Sequence, residues 1–301
     1  MSNISFEDRV VIVTGAGNGL GKAYALDLGN RGAKVVVNDL GGSVDGSGSA
    51  SSPADEVVNE IIKNGGEAVA NYDSVATKEG GESIVQSAID SFGTVDALVN
   101  NAGILRDKSF ANMSEEELSL IIDVHLKGAF FVSQPAFKVM KEKNYGRIVN
   151  VASPSGLFGN FGQSNYGAAK MGVVGLTNVL AIEGAKYNIK VNVIAPTAYT
   201  RMTEALLSED LGKLFSAELV TPLVSYLASE ACEPSHEIYG VGAGRFARIG
   251  IITHKGYINT SPSAEDIADN IEEIRNIENG TYPLSNEDEL IIIQQAIQGN
   301  Q

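Results

Sequence analysis

Nearly continuous runs of apolar, mostly β-branched residues recur along the chain, and helical patterns of apolar positions lie between them. Uninterrupted apolar runs are typical of strands that are covered on both faces of a sheet. The pattern predicts strands over residues 10–14, 34–39, 67–72, 95–100, 147–152, 190–195 and 237–241. It predicts helices over residues 21–30, 55–63, 82–91, 114–131 and 166–186.

This alternation of strand and helix predicts the fold class. It indicates an α/β fold, a single doubly wound parallel sheet of about seven strands with helices on both faces. Ligands of such sheets bind at the carboxyl ends of the strands. We therefore expect one sheet domain over residues 1–244 and an acidic helical extension over residues 245–301 that packs on or beside it.

Two segments interrupt the pattern. Residues 41–53 are rich in glycine and serine, and we favour a flexible loop over a dedicated phosphate-binding loop. Residues 265–289 hold nine acidic residues and one basic residue. Ser263 and Ser285 precede acidic turns as N-caps, which predicts two acidic helices. We favour a solvated helical surface over a partner surface here.

Composition and charge exclude several classes of protein. The chain has 301 residues, a net charge of −15 and one cysteine. Such a charge disfavours nucleic-acid binding, and a lone cysteine fits a reducing compartment. No apolar run approaches the length of about 20 residues that a membrane helix needs. We expect no nucleic-acid or membrane partner and no metal. Because the N-terminus lacks a signal peptide and the C-terminus lacks a peroxisomal address, we expect a cytoplasmic protein.

A glycine-rich segment, Thr14 to Gly21, joins the first strand to the first helix. Its pattern is G-x-x-x-G-x-G at Gly15, Gly19 and Gly21 rather than G-x-G-x-x-G. Glycines there let the backbone turn sharply and approach a diphosphate at the helix N-terminus. Between a buried strand and a helix, the segment predicts a dinucleotide site.

Asp39 ends the second predicted strand. A carboxylate there accepts hydrogen bonds from an adenosine ribose and repels a 2′-phosphate, so it favours NAD over NADP. The alternative is a turn aspartate before Gly41. Asp73 and Ser74 follow the third strand, and Asn100, Ala102 and Gly103 follow the fourth; each pair or trio by itself is also consistent with an ordinary turn.

Tyr166 and Lys170 stand four residues apart and share one helix face. A nearby ammonium favours the phenolate, so the Lys170 side chain is expected to lower the pKa of Tyr166 and let it transfer a proton. Ser153 ends the fifth strand, where its hydroxyl can bind the same reacting oxygen.

The ordered set of these motifs resembles the short-chain dehydrogenase/reductases over about residues 8–245. The resemblance implies a Rossmann-like fold, hydride transfer with a nicotinamide cofactor and a homodimer or homotetramer. It implies catalytic roles for Ser153, Tyr166 and Lys170, with His125 where the family has asparagine. We leave open whether His125 acts through its carbonyl and ring or is only packed. The implied cofactor-binding residues are Gly15, Asn18, Gly19, Leu20, Gly21, Asp39, Asp73, Ser74, Asn100, Ala102, Gly103, Tyr166, Lys170, Pro196 and Thr197.

Within the family, segments such as Asn100 to Arg106 and Val124 to Leu126 resemble the (3R)-hydroxyacyl-CoA dehydrogenase subgroup of peroxisomal multifunctional enzyme type 2. The resemblance implies oxidation of a (3R)-3-hydroxyacyl-CoA. The alternatives are a hydroxysteroid or other secondary-alcohol substrate with the same mechanism, or a non-catalytic NAD-binding sensor. A coenzyme A substrate would need basic contacts, for which the sequence offers Arg106, Lys108, Arg201 and Arg245, unless these are only solvated charges.

Overall fold

One eight-stranded sheet organises the first part of the chain. A computed structural model describes residues 4–201 and 209–299. The strand order is β3-β2-β1-β4-β5-β6-β7-β8, and neighbouring strands from β3 to β7 pair in parallel. The strands are β1 (Val10–Thr14), β2 (Lys34–Asn38), β3 (Glu67–Asn71), β4 (Ala97–Asn100), β5 (Gly146–Val151), β6 (Ile189–Pro196), β7 (Ile238–Gly242) and β8 (Arg245–Ile249).

Helices cover both faces of this sheet. Successive residues of β1 point to opposite sides: Val11 and Val13 belong to one buried cluster with Tyr24 and Leu28, and Ile12 belongs to the other. This explains why the strands are apolar at every position. The helices of this part are α1 (Gly19–Asn30), α2 (Ser52–Lys63), α3 (Lys78–Phe92), α4 (Glu115–Ile122), α5 (Gly128–Glu142), α6 (Pro154–Phe158), α7 (Ser164–Gly184), α8 (Glu209–Leu214) and α9 (Thr221–Ala228).

The sheet is doubly wound, as predicted, and it has a switch point between β1 and β4. From β1 the chain builds outward through β2 and β3, and then returns to the other side of β1. The strand ends are in register, with Val13 opposite both Val37 and Val99. Polar and glycine residues that follow these strands therefore meet at one edge, where doubly wound sheets bind ligands.

The sequence missed the eighth strand. β7 and β8 are joined by two residues with positive φ, Ala243 at 49° and Gly244 at 76°. Two such residues form a tight hairpin turn that reverses the chain. β8 is largely exposed and carries the charged residues Arg245 and Arg248, so its sequence lacks the apolar run that identified the other strands.

The prediction of one regular helix over residues 114–131 is also wrong, because a π-helical turn divides it. Helix α4 ends at Ile122, a π-helical turn spans Asp123–Lys127, and α5 continues to Glu142. The capping box at Ser114 and Glu117 is confirmed. The wider turn adds a residue to the helical repeat, which is common at functional sites and leaves no composition signal in the sequence.

Residues 249–301 form a second compact unit, whereas residues 1–248 form the first. Its helices are α10 (Ala264–Asp269), α11 (Ile271–Arg275) and α12 (Asn286–Gly299). The expectation of two helices is wrong, because the first segment is interrupted at Asn270. The predicted caps are present: Ser263 forms a capping box with Asp266, and the Ser285 hydroxyl accepts the amide of Asp288. The placement of this extension beside the sheet domain stays a prediction.

Candidate active site

A cleft of about 240 Å³ opens at the carboxyl ends of the strands, on the side of the switch point. Its walls come from the turn after β1, the segments after β2, β3 and β4, helix α4 and the residues after β6. The fold thus brings together side chains and backbone from six separate stretches of the chain. The predicted cofactor residues that line it are Gly15, Asn18, Gly19, Leu20, Asp39, Asp73, Ser74, Ala102 and Gly103.

The glycine-rich turn is built around close backbone contacts. Gly15 and Gly19 have φ of 62° and 53°, where glycine is strongly favoured. Gly21 does not line the cleft; a Cβ there would overlap the carbonyl oxygen of Gly15. Asn101 holds the turn, since its side-chain amide donates to the carbonyls of Thr14 and Gly15 at 3.0 Å each. This role of Asn101 was not predicted from the sequence.

Asp39 is held rigidly at the rim of the cleft. Its two carboxylate oxygens accept the amides of Gly17 and Gly41, each at 2.7 Å. The turn role considered from sequence is therefore present, and the carboxylate also faces the cleft. Gly17 was not among the predicted cofactor-binding residues. A Cβ at this position would approach Asp39 Oδ2 to 2.8 Å, so the contact with Asp39 needs a glycine here. The remaining lone pairs of Asp39 are free to accept ribose hydroxyls.

The glycine- and serine-rich loop forms a wall of the cleft through Gly42, Ser43, Val44 and Gly46. Hydrogen bonds within the loop hold it in place; the Ser43 amide donates to the Ser47 carbonyl at 2.8 Å. The Arg106 guanidinium donates to the Asp45 carbonyl at 2.8 Å. The expectation of a merely flexible connection missed these contacts, because they involve a distant part of the chain.

Asp73 and Ser74, which follow β3, also line the cleft. The Asp73 carboxylate accepts hydrogen bonds from Asn71 Nδ2 at 2.8 Å and from Ser83 Oγ at 2.7 Å. Asn38 donates to the Asp73 carbonyl at 2.9 Å. These contacts fix the backbone after β3, which leaves Ser74 and Val75 facing the cleft.

Tyr166, Lys170 and Ser153 lie at the meeting point of α7 and the end of β5. The Ser153 hydroxyl interacts with the Tyr166 hydroxyl and lowers its pKa, but desolvation dominates and raises that pKa to about 12. Lys170 is buried, donates to the Val151 carbonyl at 2.6 Å, and has a pKa lowered to about 7 by burial. The expected lowering of the Tyr166 pKa by Lys170 stays a prediction; the Lys170 ammonium lies over the Tyr166 ring, 5.6 Å from its centroid.

His125 is buried in the π-helical turn, and its ring meets the Tyr166 ring edge-on at 5.0 Å. Its Nε2 lies 2.8 Å from the Ile104 carbonyl oxygen and 3.1 Å from the Ile104 amide nitrogen. Burial lowers its pKa well below the ordinary value, with a further contribution from Lys170, so the ring is neutral. Gly103 must be glycine, because a Cβ would approach the ring to 2.5 Å.

A small inner cavity continues behind the cleft. His125, Lys170, Asn100 and Val151 are among its lining residues, and it shares Val75, Ala102 and Val124 with the cleft. Within the described residues, His125 Nδ1 is one of two buried side-chain polar atoms with no hydrogen-bond partner.

Besides Gly21, Tyr166 and Lys170, three predicted cofactor residues do not line the cleft. Asn100 is buried and donates to Ser133 and Asn150, each at 2.8 Å. Pro196 ends β6, and the amide of the next residue, Thr197, donates to the Val241 carbonyl at 2.8 Å.

The comparisons with known proteins agree with this geometry. A family model described as short chain dehydrogenase matches residues 9–210. The chain belongs to the short-chain dehydrogenase family. It is therefore an oxidoreductase, and the family binds NAD or NADP.

Curated relatives of this dehydrogenase include three that mark out the subgroup. It is 58% identical over 247 residues to the peroxisomal hydratase-dehydrogenase-epimerase of Saccharomyces cerevisiae, covering 82% of this chain and 27% of that protein. It is 51% identical to peroxisomal multifunctional enzyme type 2 of Mus musculus, over 94% of this chain and 38% of that protein. It is also 51% identical to a short-chain type dehydrogenase/reductase of Mycobacterium tuberculosis, over 87% of this chain and 92% of that protein.

Solved structures give the same result. Full-length peroxisomal multifunctional enzyme type 2 from Drosophila melanogaster superimposes with a TM-score of 0.83 at 38% identity, over 98% of this chain and 50% of that one. A short chain dehydrogenase from Mycobacterium avium gives 0.79 at 41% identity, over 90% of this chain and 97% of that one. The predicted family and its subgroup are confirmed. The chain spans about a quarter of the yeast relative and two fifths of the mouse relative.

The four basic residues considered for a nucleotide-bearing substrate are separated by the fold. Arg201 lines the cofactor cleft, and Arg106 pairs with Glu116 at 2.9 Å. Lys108 is exposed and its amide bonds to the Gly162 carbonyl at 2.7 Å, beside the start of α7. Arg245 lies on the exposed strand β8.

The described residues contain no group of three or more histidine, cysteine, aspartate or glutamate side chains that could hold a metal ion. None of the helices in the described part of the chain is long and apolar enough to cross a bilayer.

Proposed function

We propose that this dehydrogenase oxidises a (3R)-3-hydroxyacyl-CoA to the 3-ketoacyl-CoA, with NAD as the hydride acceptor and Tyr166 as the general acid/base. One observation carries the proposal: Tyr166, Ser153 and Lys170 converge beside a cleft whose rim carries Asp39. Relatives named as peroxisomal multifunctional enzymes support the choice of substrate class.

The residues of the cleft fit a nicotinamide dinucleotide. Gly15 and Gly19 expose backbone that a diphosphate can approach, and Arg201 supplies a cation on the same wall. Asp39, fixed by two amides, would accept the hydroxyls of the adenosine ribose and disfavour a 2′-phosphate. These features support NAD in preference to NADP.

Within this proposal the bound nicotinamide supplies the electrophilic carbon that takes the hydride from C3 of the substrate. Tyr166 removes the proton of the C3 hydroxyl, which leaves the carbonyl product. Ser153 holds the same oxygen by a hydrogen bond. Lys170 would hold the nicotinamide ribose and, when charged, would favour the phenolate of Tyr166. The site must therefore offset the desolvation that raises the Tyr166 pKa in the free protein.

Lys108 supports a coenzyme A thioester rather than a neutral steroid. It is exposed on the segment that pairs with Gln163, three residues before Tyr166. A cation there can meet the nucleotide phosphates of coenzyme A despite the net charge of the chain. We further propose a homodimer or homotetramer and a cytoplasmic location; the yeast and mouse relatives are named peroxisomal, and the mycobacterial relative is not.

The test is NADH formation from purified protein with separate (3R)- and (3S)-3-hydroxyacyl-CoA. We expect turnover of the 3R isomer alone. Turnover of hydroxysteroids with neither acyl-CoA isomer oxidised would contradict the substrate class and favour the steroid alternative. Binding of NAD without oxidation of any secondary alcohol would favour a sensor.

A further inference from the structure

Asn165, the residue before Tyr166, is 1% exposed and uses its whole side-chain amide. Its Nδ2 donates to the carbonyls of Arg106 and Glu117, each at 3.0 Å. Its Oδ1 accepts the amide of Tyr166 at 2.7 Å. One buried side chain thus joins the start of α7 to α4 and to the segment after β4.

These contacts belong to a larger set of hydrogen bonds, here called the seam, which joins residues 106–108 to residues 162–165 at the start of α7. The Lys108 amide bonds to the Gly162 carbonyl at 2.7 Å, and Gln163 Nε2 donates to Asp107 at 2.8 Å. Residues 106–108 are therefore fastened to residues 162–165 through both backbone and side chains. Of the side chains that make these hydrogen bonds, Asn165 is the most deeply buried, and it is adjacent to Tyr166.

The seam also reaches the cofactor cleft. Arg106, whose carbonyl is held by Asn165, donates through its guanidinium to the Asp45 carbonyl. The Leu105 amide bonds to the Val44 carbonyl at 2.9 Å. Val44 lines the cleft, so the wall of the cofactor site and the first turn of α7 share one hydrogen-bonded connection.

We propose that Asn165 is a positioning residue: its amide fixes the first turn of α7 against α4 and the cleft wall, and so holds the Tyr166 hydroxyl beside Ser153. The inference rests on the proposed function, in which Tyr166 is the general acid/base. Without the hydrogen bonds of Asn165, the first turn of α7 can shift and move the phenol of Tyr166 away from the reacting oxygen. Displacements of about 1 Å at such a site cost on the order of a hundredfold in rate.

The experiment compares Asn165→Ala and Asn165→Ser with Asn192→Ala in the full chain. Asn192 is a matched control: it is buried, its Nδ2 donates to the Pro234 carbonyl at 2.8 Å, and its Oδ1 accepts the Glu237 amide at 3.2 Å. Serine at 165 keeps an acceptor for the Tyr166 amide but cannot reach both carbonyls. If alanine prevents folding, serine carries the test.

With the 3R substrate, we expect the Asn165 variants to lose about 10- to 100-fold in kcat, with KM for NAD changed less than about twofold. The rise of kcat with pH should shift to higher pH, because Tyr166 loses its contact with Ser153. Asn192→Ala should lower Tm with wild-type kcat and pH profile. Equal losses of kcat in the Asn165 and Asn192 variants, or wild-type kcat in the Asn165 variants, would overturn the inference.

A second readout needs no substrate. The ¹³Cζ signal of Tyr166, assigned with Tyr166→Phe, reports its titration with NAD bound. We expect the midpoint to rise in the Asn165 variants and to stay unchanged in Asn192→Ala; an unchanged midpoint in all three variants would overturn the inference. If wild type oxidises no hydroxyacyl-CoA, the proposed function fails, and this titration still decides the role of Asn165.

Discussion

Burial shifts three ionisable side chains at the site toward their neutral forms. The pKa of Lys170 falls to about 7, that of Tyr166 rises to about 12, and that of His125 falls well below its ordinary value. In each case desolvation is the largest cause. Such perturbed groups in one place are typical of catalytic sites, because the bound substrate and cofactor then decide where the charge appears.

The shift at Lys170 makes a prediction about stability. Its folded pKa of about 7 lies below the unfolded value of about 10.4, so the unfolded chain binds more protons between these values. The Lys170 contribution is therefore present above about pH 10 and is lost as pH falls toward 7. Relative to Lys170→Met, the unfolding free energy of wild type should rise by up to about 1.4 kcal/mol per pH unit in this window. Urea titrations of both proteins measure it, and parallel pH dependences would contradict it.

Tyr24 offers a prediction about the core. Its hydroxyl is fully buried without a hydrogen-bond partner, and burial raises its pKa. Because an unsatisfied hydroxyl costs about 1–3 kcal/mol, Tyr24→Phe should stabilise the protein by about 1 kcal/mol. The control is Tyr239→Phe, which loses a hydroxyl bonded to Glu237 and should not stabilise. Thermal unfolding measures both; a lower Tm for Tyr24→Phe would show that the hydroxyl is satisfied.

At the scale of elements, the sequence identified seven strands and the order of the site segments, because a doubly covered parallel sheet imposes a strong apolar signal. It missed β8, whose exposed side chains carry no such signal, and the π-helical turn around His125. It also missed Asn101 and Asn165. Both are asparagines that bridge distant carbonyls, and their contacts follow from the tertiary arrangement rather than from local pattern.

The turn between β1 and α1 makes a prediction at this scale. Gly21→Ala should force the first turn of α1 away from Gly15, raising KM for NAD by at least about tenfold and destabilising the protein by about 1–3 kcal/mol. Gly175→Ala is the matched control, since no atom lies within 4 Å of its Cβ position in α7. It should add about 0.5–1 kcal/mol of stability and leave KM unchanged. A Gly21→Ala variant that binds NAD normally would contradict the close packing of this turn.

Across the whole molecule, acidic residues and buried apolar residues are distributed unevenly along the chain. Residues 265–289 hold nine acidic residues and one basic residue, which is −8 of the net charge of −15. No residue described in 249–298 is buried, whereas the first unit contains both large apolar clusters. The boundary expected at residue 245 is where the alternation of strands and helices ends, and the contacts divide the chain after Arg248.

In the proposed function, this chain transfers a hydride to NAD with Tyr166 as its general acid/base. The most direct measurement is the initial rate of NADH or NADPH formation from (3R)-3-hydroxyacyl-CoA, for wild type and for Tyr166→Phe. The account predicts turnover with NAD, little or none with NADP, and a loss of about 10²- to 10⁴-fold in kcat for Tyr166→Phe at unchanged NAD affinity. A Tyr166→Phe variant with the wild-type rate would contradict it.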